Sequence, residues 1–122
     1  MIIFDSRKAR TVYEGQPFSR SESFTVPACG CATLELTTHD RFFKRIKFDI
    51  LRVIENEEMF VKPYREVNEQ GVLAVVGLGV VGNEAFETVK ITRPGRYYLT
   101  TQMNDMIDDE DNPTIVEVSI CQ

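Results

Sequence analysis
The C-terminal third of the chain alternates apolar and polar residues around one turn dipeptide, and that pattern constrains the fold more than any other. Val89 and Ile91 alternate with Lys90 and Thr92, and Pro94-Gly95 follows. Proline presets φ at one turn position, and glycine accepts positive φ at the next. Tyr97, Leu99 and Thr101 then share one face of a strand, and Val116, Val118 and Ile120 share one face of the last. Strand, tight turn, strand, loop, strand is the order of an antiparallel β domain. The alternation predicts Val89, Ile91, Leu99, Val116, Val118 and Ile120 as core.

Residues 24–26 and 33–37 read as strands on either side of a small-residue turn at 27–31, and 18–22 extends the first of them. Residues 10–14 form a short candidate ended by Gly15 and Pro17. The continuous apolar run Val72, Leu73, Ala74, Val75, Val76 suits a buried strand. Residues 38–54 admit two readings. As a helix, Phe43, Ile46, Ile50, Val53 and Ile54 share a face, with Thr38 as N-cap and Asp40 in the first turn. As a strand, Ile46, Phe48 and Ile50 alternate with Arg45, Lys47 and Asp49 and continue through a polar turn at 55–58 into 59–62 as a hairpin. The strand is favoured. About eight to ten short strands, with turn signals at roughly ten-residue spacing, predict an all-β fold. It is an antiparallel β-sandwich or jelly roll spanning 1–122 as a single domain, with a possible helix at 38–54 as the exception.

A chain of 122 residues with 43 % hydrophobic and 27 % charged residues can close a core without metal or disulfide support. No apolar run approaches the ~20 residues of a membrane span, and the N-terminus lacks the pattern of a secretory signal. The net charge of -5 argues against nucleic acid as a partner. The charge is uneven. Residues 1–52 carry nine Lys/Arg and six Asp/Glu, or +3, whereas 53–122 carry five and thirteen, or -8. Opposite charge on different faces would guide docking to another protein surface. Three cysteines, Cys29, Cys31 and Cys121, are an odd count that fits a reduced compartment and buried thiols. Cytoplasmic synthesis is the expectation.

The motifs yield no catalytic set. Gly77-Leu78-Gly79-Val80-Val81-Gly82 matches G-x-G-x-x-G after an apolar run. The following βαβ unit and the acidic residue about twenty positions on are missing, so a glycine-punctuated strand is expected and no cofactor. Asp105, Asp108, Asp109 and Asp111 gather carboxylates as a hard-cation site would, without the EF-hand glycine or glutamate. A solvated loop joining two strands is the favoured reading, with a Ca²⁺ site as the weaker alternative. Arg41, Lys44 and Arg45 interleave with Phe42 and Phe43, as an ordinary strand or helix with apolar residues in and charges out also would. That is the favoured reading, and a patch that docks on an acidic protein surface is its functional version. His39, the only histidine, lacks a nucleophile in a recognisable context. A zinc set from His39 and the cysteines would lack the usual paired knuckle. Met1, Ile2, Ile3 and Phe4 are apolar, and either add a strand to an exposed sheet edge of a neighbour or pack in the core.

The run Pro94-Gly95-Arg96-Tyr97-Tyr98-Leu99 resembles the P-G-x-Y-x-[LF] turn-strand of many β-sandwich modules, including pre-peptidase C-terminal-type domains. As a short single-domain chain without an active site, the protein is also similar in character to the small jelly-roll decoration or accessory proteins of tailed-phage virions. That resemblance implies a non-enzymatic structural or assembly protein. Most concretely it implies a virion accessory or capsid-decoration subunit bridging neighbouring subunits, with protein partners in a homo-oligomer or a lattice and neither nucleic acid nor membrane. The alternative is a ligand-binding sandwich module for carbohydrate or Ca²⁺.

Overall fold
The structure is a computed structural model, and it describes residues 1–7, 18–38, 46–54, 57–81, 84–102 and 113–121. Among these residues every regular element of three residues or more is a strand. The strands are β1 (Ile2–Asp5), β2 (Phe18–Arg20), β3 (Phe24–Val26), β4 (Cys31–Thr37), β5 (Ile46–Ile54), β6 (Glu57–Pro63), β7 (Arg65–Val67), β8 (Leu73–Val75), β9 (Gly77–Val81), β10 (Glu84–Phe86), β11 (Thr88–Ile91), β12 (Gly95–Gln102) and β13 (Ile115–Cys121). All pairings among them are antiparallel. The first sheet runs β1-β13-β4-β11. The second runs β10-β9-β5-β12-β2, with β3 also on β12 and β6 on β5. Strands β7 and β8 form a separate two-stranded sheet.

The two large sheets pack face to face, as an all-β sandwich requires. Leu34, Leu36, Val116 and Val118 of the first sheet meet Phe24, Phe48, Ile50, Leu78, Tyr97 and Leu99 of the second in one buried cluster. Across the middle, the rings of Phe4 and Phe48 lie edge to face with centroids 4.9 Å apart. Alternation is the cause. In β4 the even residues 32, 34 and 36 are buried, and in β13 Val116 and Val118 are buried opposite Leu36 and Leu34. Ile120 departs from the expected core. It follows the same parity, but it sits 45 % exposed near the end of β13.

Residues 46–54 are a strand, which removes the helical alternative over that stretch. Strand β5 pairs β12 on one side, and β9 and β6 on the other, so Phe48 and Ile50 are driven inward by the period of two. The β5–β6 hairpin is the one the alternation predicts. Residues 10–14 and 39–45 lie outside the described residues.

The Pro94-Gly95 turn does something other than close a hairpin. Strand β11 pairs only β4 in the first sheet, and β12 belongs to the second, so the turn carries the chain between sheets. Gly95 takes φ +149°, a conformation side-chain-bearing residues rarely adopt. Tyr97, fully buried, then donates its hydroxyl to the Arg93 carbonyl at 2.7 Å. A tyrosine bonded to backbone a few residues upstream at an inter-sheet crossing is the tyrosine corner of Greek-key sandwiches. The P-G-x-Y signature thus encodes a crossover clamp.

The cysteines correct the expectation of buried reduced thiols. Cys31 and Cys121 stand opposite each other on β4 and β13 and are joined as a disulfide, with Cα atoms 5.0 Å apart. Cys29 is free and exposed. The partners are 90 residues apart in sequence, so only the sheet register brings them together.

Candidate functional site
The most unusual surface is the β7–β8 hairpin. Of the run at 72–76, which reads as a buried strand, Val72, Leu73 and Val75 are on the outside, while Ala74 is half-buried and Val76 packs against the core. Val67 is 67 % exposed, Val72 57 %, Leu73 58 % and Val75 53 %. The register explains the arrangement. Val67 pairs Leu73 and Arg65 pairs Val75, so these four share the outward face, while Glu66 and Ala74 share the inward one. Continuous hydrophobicity identifies a strand but does not distinguish one covered by the core from one projecting out of it.

The hairpin is held rigidly. Gly71 donates its N–H to the Asn68 carbonyl at 3.0 Å, and Asn68 donates to the Val72 carbonyl at 2.9 Å. The Asn68 side-chain Oδ1 also accepts from the N–H groups of Gln70 and Val72 at 3.0 and 3.1 Å. Gly71 sits at φ +77°, the left-handed position that ends a three-residue hairpin loop. Asn68-Glu69-Gln70-Gly71, with asparagine opening a turn and glycine closing it, is the signal in the sequence that would have revealed this hairpin. At the base, Tyr64 donates its N–H to the Ile50 carbonyl and accepts from Val76 N–H at its own carbonyl. Its buried ring packs on Tyr97, and its hydroxyl donates to the Glu66 carboxylate. Burial first, then the Glu66 hydrogen bond, raises the Tyr64 phenol above its ordinary value.

Beneath the hairpin runs a groove of about 850 Å³. The hairpin contributes Glu66, Val67, Asn68, Ala74 and Val75 to its lining. The floor is Gly77 to Gly79 on β9, and the far wall is Thr88, Val89 and Lys90 on β11. Lys47 and Lys90 bring positive charge to a mostly aliphatic lining. This volume falls in the range of sites that hold small molecules or short peptide segments. The groove joins the G-x-G part of the glycine motif to the site in an unexpected way. Gly77 and Gly79 sit on an extended strand paired to Asp49 and Lys47, which is the glycine-punctuated strand reading.

The residues proposed from sequence fare unequally. Met1 and Ile2 are exposed, whereas Ile3 and Phe4 are buried in the core cluster. A register shift between Ile2 and Phe4 turns two consecutive residues inward. The N-terminal segment is already paired to β13, with Met1 and Val118 exchanging backbone bonds, so it completes this chain's own sheet. Its outer edge remains on the rim of that sheet. Arg41, Lys44, Arg45, His39, Gly82 and the acidic Asp105, Asp108, Asp109 and Asp111 lie outside the described residues. Among the described residues no group of three metal-ligating side chains converges. The sequence reading missed Val67, Leu73 and Val75 as surface residues, and missed Tyr64 as their anchor.

No protein-family model matches the chain, and no curated protein matches it.

Proposed function
We propose that the protein is a non-enzymatic assembly subunit whose copies meet through the outward face of the β7–β8 hairpin. The single observation behind this reading is the apolar strip Val67, Leu73 and Val75, each more than half exposed on the outward face of the hairpin, with Val72 exposed beside it. A two-stranded sheet has marginal stability in water unless something packs on it. Packing two such hairpins against each other would remove both strips from water in one isologous contact, the commonest symmetry of soluble oligomers. A structural subunit that bridges neighbours, of the kind found among virion accessory and decoration proteins, uses surfaces of this type. The test is native mass determination of the wild type against Leu73→Glu. The side chain points outward, so the substitution leaves the sandwich intact and abolishes self-association. A wild type that stays monomeric at high concentration contradicts the proposal.

A second reading, a ligand-binding module, is supported by the groove between the hairpin and β11. Titration with small carbohydrates and amphiphilic acids, with Lys90→Ala as the control, tests it. Saturable binding by a monomeric protein would favour the module over the assembly subunit.

A further inference from the structure
Strand β11 is the last strand of its sheet, and its hydrogen-bonding parity can be read from one bond. Leu36 donates its N–H to the Glu87 carbonyl at 2.7 Å, in the same register that pairs Val89 with Leu34 and Ile91 with Ala32. Bonded pairs alternate along an antiparallel ladder, so the odd residues 87, 89 and 91 turn their backbone toward β4. The N–H and C=O groups of Thr88 and Lys90 therefore point away from the sheet. Thr92 follows the same parity, and its N–H reaches outward to the Tyr64 hydroxyl at 3.4 Å. Among the described residues no strand pairs this outer edge of β11.

That edge is a wall of the 850 Å³ groove. It therefore combines what strand capture requires: unpaired main-chain donors and acceptors along one side, and an apolar trough for alternate side chains along the other. Four residues of edge span about 13 Å at 3.3 Å per residue. The charge around it has one dominant sign. Lys90 lines the groove together with Lys47, whose ammonium lies 4.0 Å from the Asp49 carboxylate, and Arg65, Lys90 and Arg93 line an adjoining cavity of about 570 Å³. Glu66 is the carboxylate there, and it is engaged by the hydroxyls of Tyr64 and Thr92.

We propose that the free edge of β11 captures an extended segment of a partner protein, apolar at alternate positions and acidic between them, as an added strand. The inference rests on the assembly reading, and it names a second, chemically different contact. Copies meet through the hairpin's outer face, and the partner's strand lies beside β11, where the groove shares Val67 and Val75 with that face.

The experiment measures fluorescence anisotropy of a labelled six-residue peptide alternating valine and glutamate, titrated with the full chain. Two control peptides carry lysine for glutamate, or N-methyl groups on alternate backbone nitrogens. The N-methyl peptide keeps every side chain and loses strand pairing. Two protein variants complete the set. Lys90→Pro removes an outward-facing N–H and leaves β4 pairing intact, since proline is tolerated on the solvent side of an edge strand. Lys90→Glu reverses the charge. The expected result is binding of the acidic peptide, weakened at least about tenfold by N-methylation and by Lys90→Pro, the scale of one lost hydrogen bond. Lys90→Glu weakens the acidic peptide and strengthens the lysine peptide. Thermal stability and hairpin-dependent self-association stay as in the wild type. Equal binding of the N-methyl peptide, wild-type binding by Lys90→Pro, or no binding up to about 1 mM overturns the inference. Loss of self-association in Lys90→Pro would make a second copy the occupant and would also overturn it. If Leu73→Glu and wild type are both monomeric while the peptide still binds, the hairpin reading fails and the edge site stands.

Discussion

The ring of Tyr64 meets that of Tyr97 edge to face, with centroids 5.5 Å apart and planes at 88°. Through this contact the exposed hairpin is tied to the crossover between the two sheets. Tyr97 stacks on Phe24 on its other side and holds the Arg93 carbonyl, while Tyr64 holds Glu66 at the hairpin's inner face. Edge-to-face pairs contribute about 0.5–1.5 kcal/mol beyond their buried area. Tyr64→Ala should therefore lower stability by about 3–5 kcal/mol, as large aromatic truncations do. Tyr64→Phe keeps the ring contact and should cost about 1 kcal/mol. Urea denaturation of the two variants checks the difference. Equal losses would show that the hydroxyl, and not the ring, anchors the hairpin.

The same pair predicts the alkaline limit of the fold. Burial, the largest cause, pushes the Tyr97 phenol from 10.0 up to about 12, against a smaller opposing effect of the Arg52 guanidinium. Tyr64 shifts in the same direction. A phenol with a raised folded value binds its proton more tightly in the folded state. Its contribution to stability is complete below the unfolded value near 10 and is lost as pH rises through about 12. Urea midpoints should hold steady up to about pH 10 and fall beyond it. Tyr97→Phe should show a shallower fall in that window, starting from a lower plateau. An unchanged slope would assign the alkaline loss to other groups.

Reduction should be costly. The Cys31–Cys121 disulfide closes a separation of 90 residues, and long closures of this kind typically contribute about 2–4 kcal/mol. Cys121→Ser should lower the melting temperature without reductant and match the wild type with reductant present. A wild type insensitive to dithiothreitol would show that the two thiols are not joined.

The two ends of β13 should respond differently to charge. Val118 is buried against Leu34, and Val118→Asp places an unpaired carboxylate among apolar groups, a loss of about 4 kcal/mol or more. Ile120→Asp, at the exposed end, should cost about 1 kcal/mol or less. Thermal melts of the pair settle where the core ends.

Local periodicity made much of this fold legible in the sequence. The alternation in 33–37 and 47–50 reports which side of each strand is wet, whereas in 97–101 Tyr98 is buried along with Tyr97 and Leu99. Long-range placement was not legible. Alternation around Pro94-Gly95 reads as a hairpin, and only the Tyr97 hydroxyl bond to the Arg93 carbonyl shows the turn to be a crossing between sheets. Nothing near Cys31 points to Cys121. The candidate site was hidden for a related reason. Val72, Leu73 and Val75 have the composition of a buried strand, and composition alone does not report that they stand exposed. At the N-terminus, Met1 and Ile2 are outside and Ile3 and Phe4 inside, since one irregularity in the β1–β13 register shifts the parity between them.

The measurement that bears most directly on the assembly reading is native mass of the wild type and Leu73→Glu across a range of concentrations. The account predicts a concentration-dependent oligomer for the wild type and a folded monomer with unchanged circular dichroism for the variant. Identical masses for the two, at every concentration, would contradict it.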